Sequence, residues 1–162
     1  MILPLLLWPA PRLSQPCEPA PSGEETARLA ADMLETMYEA RGRGLAAPQV
    51  GRLVRLFVMD LTWKEGARAP QVFVNPEILW SSGEQRRGPE SCLSIPGPVT
   101  MVGRATAIRL GWSDPEGRAY QAELTGIAAI CAQHEMDHLD GILTLDRLAP
   151  ADRALAEQEI AA

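Results

Sequence analysis

Both histidines of this chain fall in one hexapeptide, QHEMDH (133–138), four residues apart with a glutamate beside the first. Side chains at i and i+4 stack on one face of a helix, so His134 and His138 aim ring nitrogens at a common point while Glu135 sits next to it. That is a grip for a divalent metal with a proton carrier alongside, and it needs a fold that buries the helix carrying it. The alternative is a pair of hydrogen-bonded core imidazoles, which would not need this spacing around a glutamate. The segment GIAAICAQHEMDHLDG reads as that helix, closed by Gly141.

Two ligands do not hold a catalytic metal; three protein ligands and an open position are usual. Glu157 or Glu159, in the terminal segment PADRALAEQEIAA, would supply a third ligand from a later helix, as in some metalloproteases. Cys92, in ESCLS (90–94), would supply a thiolate. The residues alone leave both open, since acidic residues suit a solvated helix face and a free cysteine commonly behaves as a small buried hydrophobe.

The rest of the chain supplies the scaffold. Its 162 residues, 46% hydrophobic, suffice for one domain spanning 1–162. Net charge −6 gives no broad positive field, which argues against direct nucleic-acid binding and attachment to anionic membranes. No stretch is long enough to span a bilayer. MILPLLLW (1–8) has no basic start and is interrupted by Pro4, so it reads as a buried strand or packed N-terminal arm rather than a targeting signal. Cys17, Cys92 and Cys131 leave one thiol unpaired in any disulfide scheme, which suggests a reduced, cytoplasmic compartment and free thiols with chemical work to do.

Leu29, Met33, Met37 and Ala40 recur at helical spacing, predicting an amphipathic helix over 24–41, with Ser22 and Glu25 as a capping box and RGRG releasing the backbone through its glycines. Residues 53–60, 71–79, 105–112 and 119–125 read as strands, with WSDPEG as a turn between the last two. A short helix starts near Pro150. The expected class is α+β: a mixed or antiparallel sheet packed around a central HExxH helix, with an N-terminal helix and a short C-terminal one.

GRGLAAPQ (42–49), ESCLS (90–94) and QHEMDHLDG (133–141) together resemble, in order, the three signature motifs of peptide deformylases, and coarse similarity extends over nearly the whole chain. The resemblance implies removal of the N-formyl group from the initiator methionine of nascent chains. It implies a metal held by Cys92, His134 and His138, Fe²⁺ in the cell, with Zn²⁺ or Ni²⁺ in purified protein. Glu135 would carry the proton, and the Gln49 side chain and Leu93 backbone N–H would stabilise the oxyanion. Gly44 would let the loop run close to the peptide, and Ile130 and Cys131 would wall the methionine pocket. The implied setting is bacterial cytoplasm, with transient ribosome association where relatives carry a basic C-terminal extension.

The chain departs from the family pattern in several places. Ser91 replaces a usual glycine, and would be strained if its φ were positive. Arg43 replaces an aliphatic wall residue, which would swing out, narrow the pocket or change the substrate. Val99 stands where many members have a substrate-binding arginine. Other readings are a divergent hydrolase of another N-formyl or N-acyl substrate, an HExxH peptidase using Glu157 or Glu159, and a non-catalytic binder on the same scaffold.

Overall fold

The computed structural model describes residues 1–160. Its elements are α1 (Glu24–Glu39), β1 (Gly44–Ala46), β2 (Leu56–Met59), β3 (Gln71–Ser81), β4 (Gln85–Cys92), β5 (Ile95–Ala105), β6 (Ala107–Ser113), β7 (Ala119–Thr125), α2 (Gly126–Leu139) and α3 (Pro150–Glu159). Five strands form an antiparallel sheet in the order β1-β2-β3-β6-β7, and β4 and β5 form a separate ribbon. This is the expected α+β class, with the named strands all paired antiparallel and one isolated parallel bridge between Glu18 and Val54.

All four residues of β2 are buried because both faces of that strand are covered. Leu56 and Val58 pack with Met33 and Met37 of α1, while Phe57 and Met59 pack with Ala129, Ala132 and Met136 of α2. Period-two alternation thus sends successive residues into two different cores. Phe57, Phe73, Trp112 and Tyr120 form a ladder across β2, β3, β6 and β7, with successive ring centroids 4.6, 4.8 and 5.8 Å apart. A third core, with Leu13, Cys92, Ile95, Leu143 and Leu145, joins the ribbon to the segment after α2.

Several local expectations need correction. The N-cap of α1 is Gly23, and no side chain caps the helix, so Ser22 and Glu25 form no capping box. The helix ends two residues earlier than expected, and the left-handed position after it is taken by Arg41 (φ 62°) rather than a glycine. Gly42 N–H donates to Met37 O and Arg41 N–H to Tyr38 O, the paired bonds of a Schellman ending. MILPLLLW is a packed arm: Leu6 N–H donates to Gln49 O and Trp8 N–H to Ser94 O. The 53–60 strand is shorter than expected, and β6 begins two residues later. Strands β1, β4 and β5 were not anticipated. The WSDPEG turn forms, with Asp114 N–H donating to Arg118 O, and Gly141 (φ 75°) follows the end of α2. Of the expected terminal helix, Ala161 and Ala162 lie outside the described residues.

Candidate metal centre and active site

Cys92, at the end of β4, lies opposite the second half of α2, and one ligand atom each from Cys92, His134 and His138 falls within 4.8 Å of the others. Sγ of Cys92 is 3.5 Å from Nε2 of His138. Glu157 and Glu159 are not part of this group; Glu157 pairs with Arg153 on α3.

The orientation of the first ligand is fixed from behind. Nδ1–H of His134 donates to Oε1 of Glu90 at 2.9 Å, since an ionised carboxylate can only accept, and this leaves Nε2 for a cation. Glu90 is in turn gripped by Arg104, whose Nε and Nη2 donate to its two oxygens at 2.9 Å each. Nη1 of Arg104 reaches Asp137, which also accepts two bonds from Arg147 at 2.9 and 2.7 Å. Burial pushes the Glu90 carboxyl up, but the hydrogen bonds from His134 and Arg104 outweigh it and hold Glu90 below its ordinary value. Burial, with the nearby His134 and Arg104, holds His138 well below the usual histidine range and favours its neutral form.

Glu135 is buried, and burial pushes its carboxyl up to about 7. Its Oε1 has no hydrogen-bond partner among the described residues, nor has Nδ1 of His138. A buried orphan carboxylate beside three converging metal-type ligands is costly unless it serves something absent from the protein itself. Gly44 accommodates it: a Cβ there would lie 2.6 Å from Oε2 of Glu135 and 3.0 Å from Sγ of Cys131. The missing side chain therefore makes room for the glutamate as well as for any passing peptide. Gly44 is the first residue of β1, not a helix cap.

Gln49 lies in a short 3₁₀ turn, Ala47–Val50, where Ala46 N–H donates to its Oε1 at 2.9 Å. That bond turns the NH₂ group toward the site, 3.1 Å from Oγ of Ser94 and 3.6 Å from Sγ of Cys92. Leu93 sits in the tight turn between β4 and β5. A cavity of about 270 Å³ opens above the group and is lined by Gln49, Leu93, His134 and Glu135, together with Arg43, Gly44, Ser91, Ile130 and Cys131. The residues that the family resemblance assigns to the site are thus at the ligand cluster or on this cavity, while the alternative ligands Glu157 and Glu159 are at neither.

The departures from the family pattern resolve individually. Among the described residues only Arg41 and Asn75 are non-glycine residues at positive φ, so Ser91 is unstrained strand backbone. Arg43 stays on the cavity wall, where its guanidinium pairs with Glu65. Val99 is 64% exposed and belongs to a groove with Met101 and Leu155, not to this cavity. Burial raises the thiols of Cys17, to about 11, and of Cys131, so neither is an activated nucleophile. All three cysteines are free.

The sequence reading missed Glu90 as the support of His134, and missed Arg104, Asp137 and Arg147 entirely. It also missed Leu61 and Ile127 on the cavity wall. The one available signal was Asp137, a further acidic residue inside a helix already crowded with polar groups.

The chain is similar to known proteins along nearly its whole length. Residues 2–154 match the family model described as polypeptide deformylase. A peptide deformylase of Alkalilimnicola ehrlichii is 51% identical over 153 residues, covering 94% of this chain and 85% of that one. The peptide deformylase 2 of Xanthomonas axonopodis pv. citri is 43% identical, covering 99% and 95%. The crystal structure of a peptide deformylase from Legionella pneumophila superposes with a TM-score of 0.91 at 38% identity, covering 98% of this chain and 93% of that one. The chain belongs to the polypeptide deformylase family.

Proposed function

We propose that this chain, as one domain, is a metal-dependent amide hydrolase that removes the N-formyl group from the formyl-methionine of nascent polypeptides and releases formate. The observation that carries the reading is the convergence of Cys92, His134 and His138 beside the unpartnered carboxylate of Glu135. The donor set suits a divalent ion: one thiolate, one imidazole oriented by Glu90 and one whose neutral form burial favours. When bound there, the ion supplies Lewis acidity and an activated water. The family resemblance implies Fe²⁺ in the cell, and the same ligands accept Zn²⁺ or Ni²⁺.

Glu135 does the proton work. Burial favours its neutral form, so it takes a proton readily, and its wall position lets it deliver that proton to the leaving amine nitrogen. The Gln49 amide and the Leu93 N–H face the formyl oxygen as charge builds there, and losing one such donor costs roughly 3 kcal/mol. Ile130, Cys131, Ile127 and Leu61 offer an apolar wall to the methionine side chain. Strand β1 is at the sheet edge and borders the cavity, so its open side suits pairing with an extended peptide backbone.

This reading implies bacterial cytoplasm, and no helix of the described residues is long and apolar enough to cross a membrane. Transient ribosome docking draws little from α3, where Asp152, Glu157 and Glu159 face a single Arg153. The test is product release from formyl-Met, acetyl-Met and other formyl-aminoacyl tripeptides by protein loaded anaerobically with Fe²⁺. Formate from formyl-Met should lead the series by about tenfold or more. Faster release of another acyl group would replace this reading with a divergent hydrolase, and binding without turnover would replace it with a binder.

A further inference from the structure

The outer rim of the cavity carries a charge opposite to that of the protein. Depth and polarity change together along its wall. His134, Glu135 and Gln49 at the bottom are buried, whereas Arg41 and Lys64 at the mouth are exposed, with Arg43 between. Arg43 is neutralised by Glu65. Arg41 and Lys64 have no carboxylate within ion-pair distance among the described residues, although the chain has 21 acidic residues and net charge −6. Two unneutralised cations at the entrance of the one site where a substrate must enter constitute a local positive field.

The cations are also held in place. Asp60, fully buried, accepts hydrogen bonds from Tyr38 Oη and from the backbone N–H groups of Thr62 and Ala69, which pins both ends of the 61–70 loop. Trp63 Nε1–H donates to Gly42 O at 2.9 Å and ties that loop to the RGRG turn. Both charges lie near the Trp63 ring, with Lys64 Nζ 5.8 Å and Arg41 Cζ 5.9 Å from its centroid. A cation–π contact takes up no N–H donor, so both cations keep their hydrogen-bond donors for a ligand.

Resting on the deformylase reading above, we infer that Arg41 and Lys64 form a subsite selecting formyl-methionyl peptides with an acidic side chain at the second or third residue. An extended peptide advances about 3.3 Å per residue, so a chain anchored at the buried ligands reaches the exposed rim within two or three residues. Arg43 does not serve, being held by Glu65.

The test is kcat/KM for formyl-Met tripeptides with Asp, Ala or Lys at the second and third positions, at 20 mM and 500 mM salt. The Asp peptide should exceed the Lys peptide by about 5-fold or more at low salt, and the ratio should fall toward one at high salt as the rim is screened. Lys64→Glu should reverse the ratio, a readout that general damage to the enzyme would not produce, and Arg41→Gln should reduce it. Equal rates across the series, or a ratio unmoved by Lys64→Glu, overturn the subsite while leaving the deformylase reading standing. No turnover of any formyl peptide overturns both.

Discussion

Helices α1 and α2 end in the same hydrogen-bond pattern and differ in almost everything else. In α1 the polar residues Glu24, Arg28, Glu35 and Glu39 face water and the buried positions are mostly apolar. In α2 the buried positions of the second half include His134, Glu135, Asp137 and His138. Each buried polar group in α2 would be destabilising alone, and two are offset by a named partner: Glu90 for His134, Arg104 and Arg147 for Asp137. Glu135 and His138 each keep a buried atom without a partner among the described residues, and of the two only Glu135 is acidic. The difference teaches where to look: α1 obeys the hydrophobic pattern and holds the fold, while α2 breaks it at the place where chemistry is done.

The largest expected effect lies on the α2 side. Cys92→Ala should remove bound metal and lower formate release by about 10³-fold or more, measured with metal content by elemental analysis. Undiminished metal content would show that Cys92 is not a ligand and contradict the three-ligand site.

Next, Arg104→Met leaves Glu90 and Asp137 short of their central partner and should cost about 3–5 kcal/mol in urea unfolding. The exposed Arg28–Glu24 pair on α1 is the control; Arg28→Ala should change stability by less than about 0.5 kcal/mol. Comparable losses in the two variants would erase the contrast between the helices.

How far the sequence reveals this contrast follows from the same physics. The HExxH spacing, the apolar face of α1 and the WSDPEG turn are local signals and were legible. Strand β5 was not, because its pattern is inverted: Thr100 and Arg104 point inward while Val99 and Met101 point out. Arg104 is inside because Glu90 and Asp137 are there, 14 and 33 residues away, and no local periodicity encodes such a contact. Cys92 could be placed by resemblance but not by spacing, since a strand of the ribbon brings it to α2. Gln49 was legible only through its flanking GLAAP.

A smaller effect concerns a buried carboxylate bonded to neutral donors. Asp60 is held below its ordinary value: burial raises it, but hydrogen bonds from Tyr38, Ala69, Thr62 and Trp63 prevail. A depressed carboxyl contributes stability that is present above its unfolded value and lost as pH falls through the folded one. Asp60→Asn, which sets an amide NH₂ against the Ala69 N–H, should cost about 1–3 kcal/mol at pH 7. The gap to wild type should close as pH falls below about 4. A gap that persists unchanged into acid would show that packing, not charge, pins the loop.

The smallest effect tests the shared helix ending. Gly141 and Arg41 occupy the same left-handed position after α2 and α1, and only glycine does so without cost. Arg41→Gly should raise stability by up to about 1 kcal/mol in thermal melts. Gly141→Ala should lower it, because a Cβ there meets the Ser14 carbonyl carbon at 2.8 Å.

The most direct test of the central claim, that α2 buries a proton carrier beside a metal grip, is formate release by Glu135→Gln at metal occupancy matched to wild type. The substitution keeps size and burial and removes only the titratable oxygen. A fall of about 10³-fold in kcat with metal content unchanged is the expected result. Turnover within a few fold of wild type would contradict the account and move the proton work to another group.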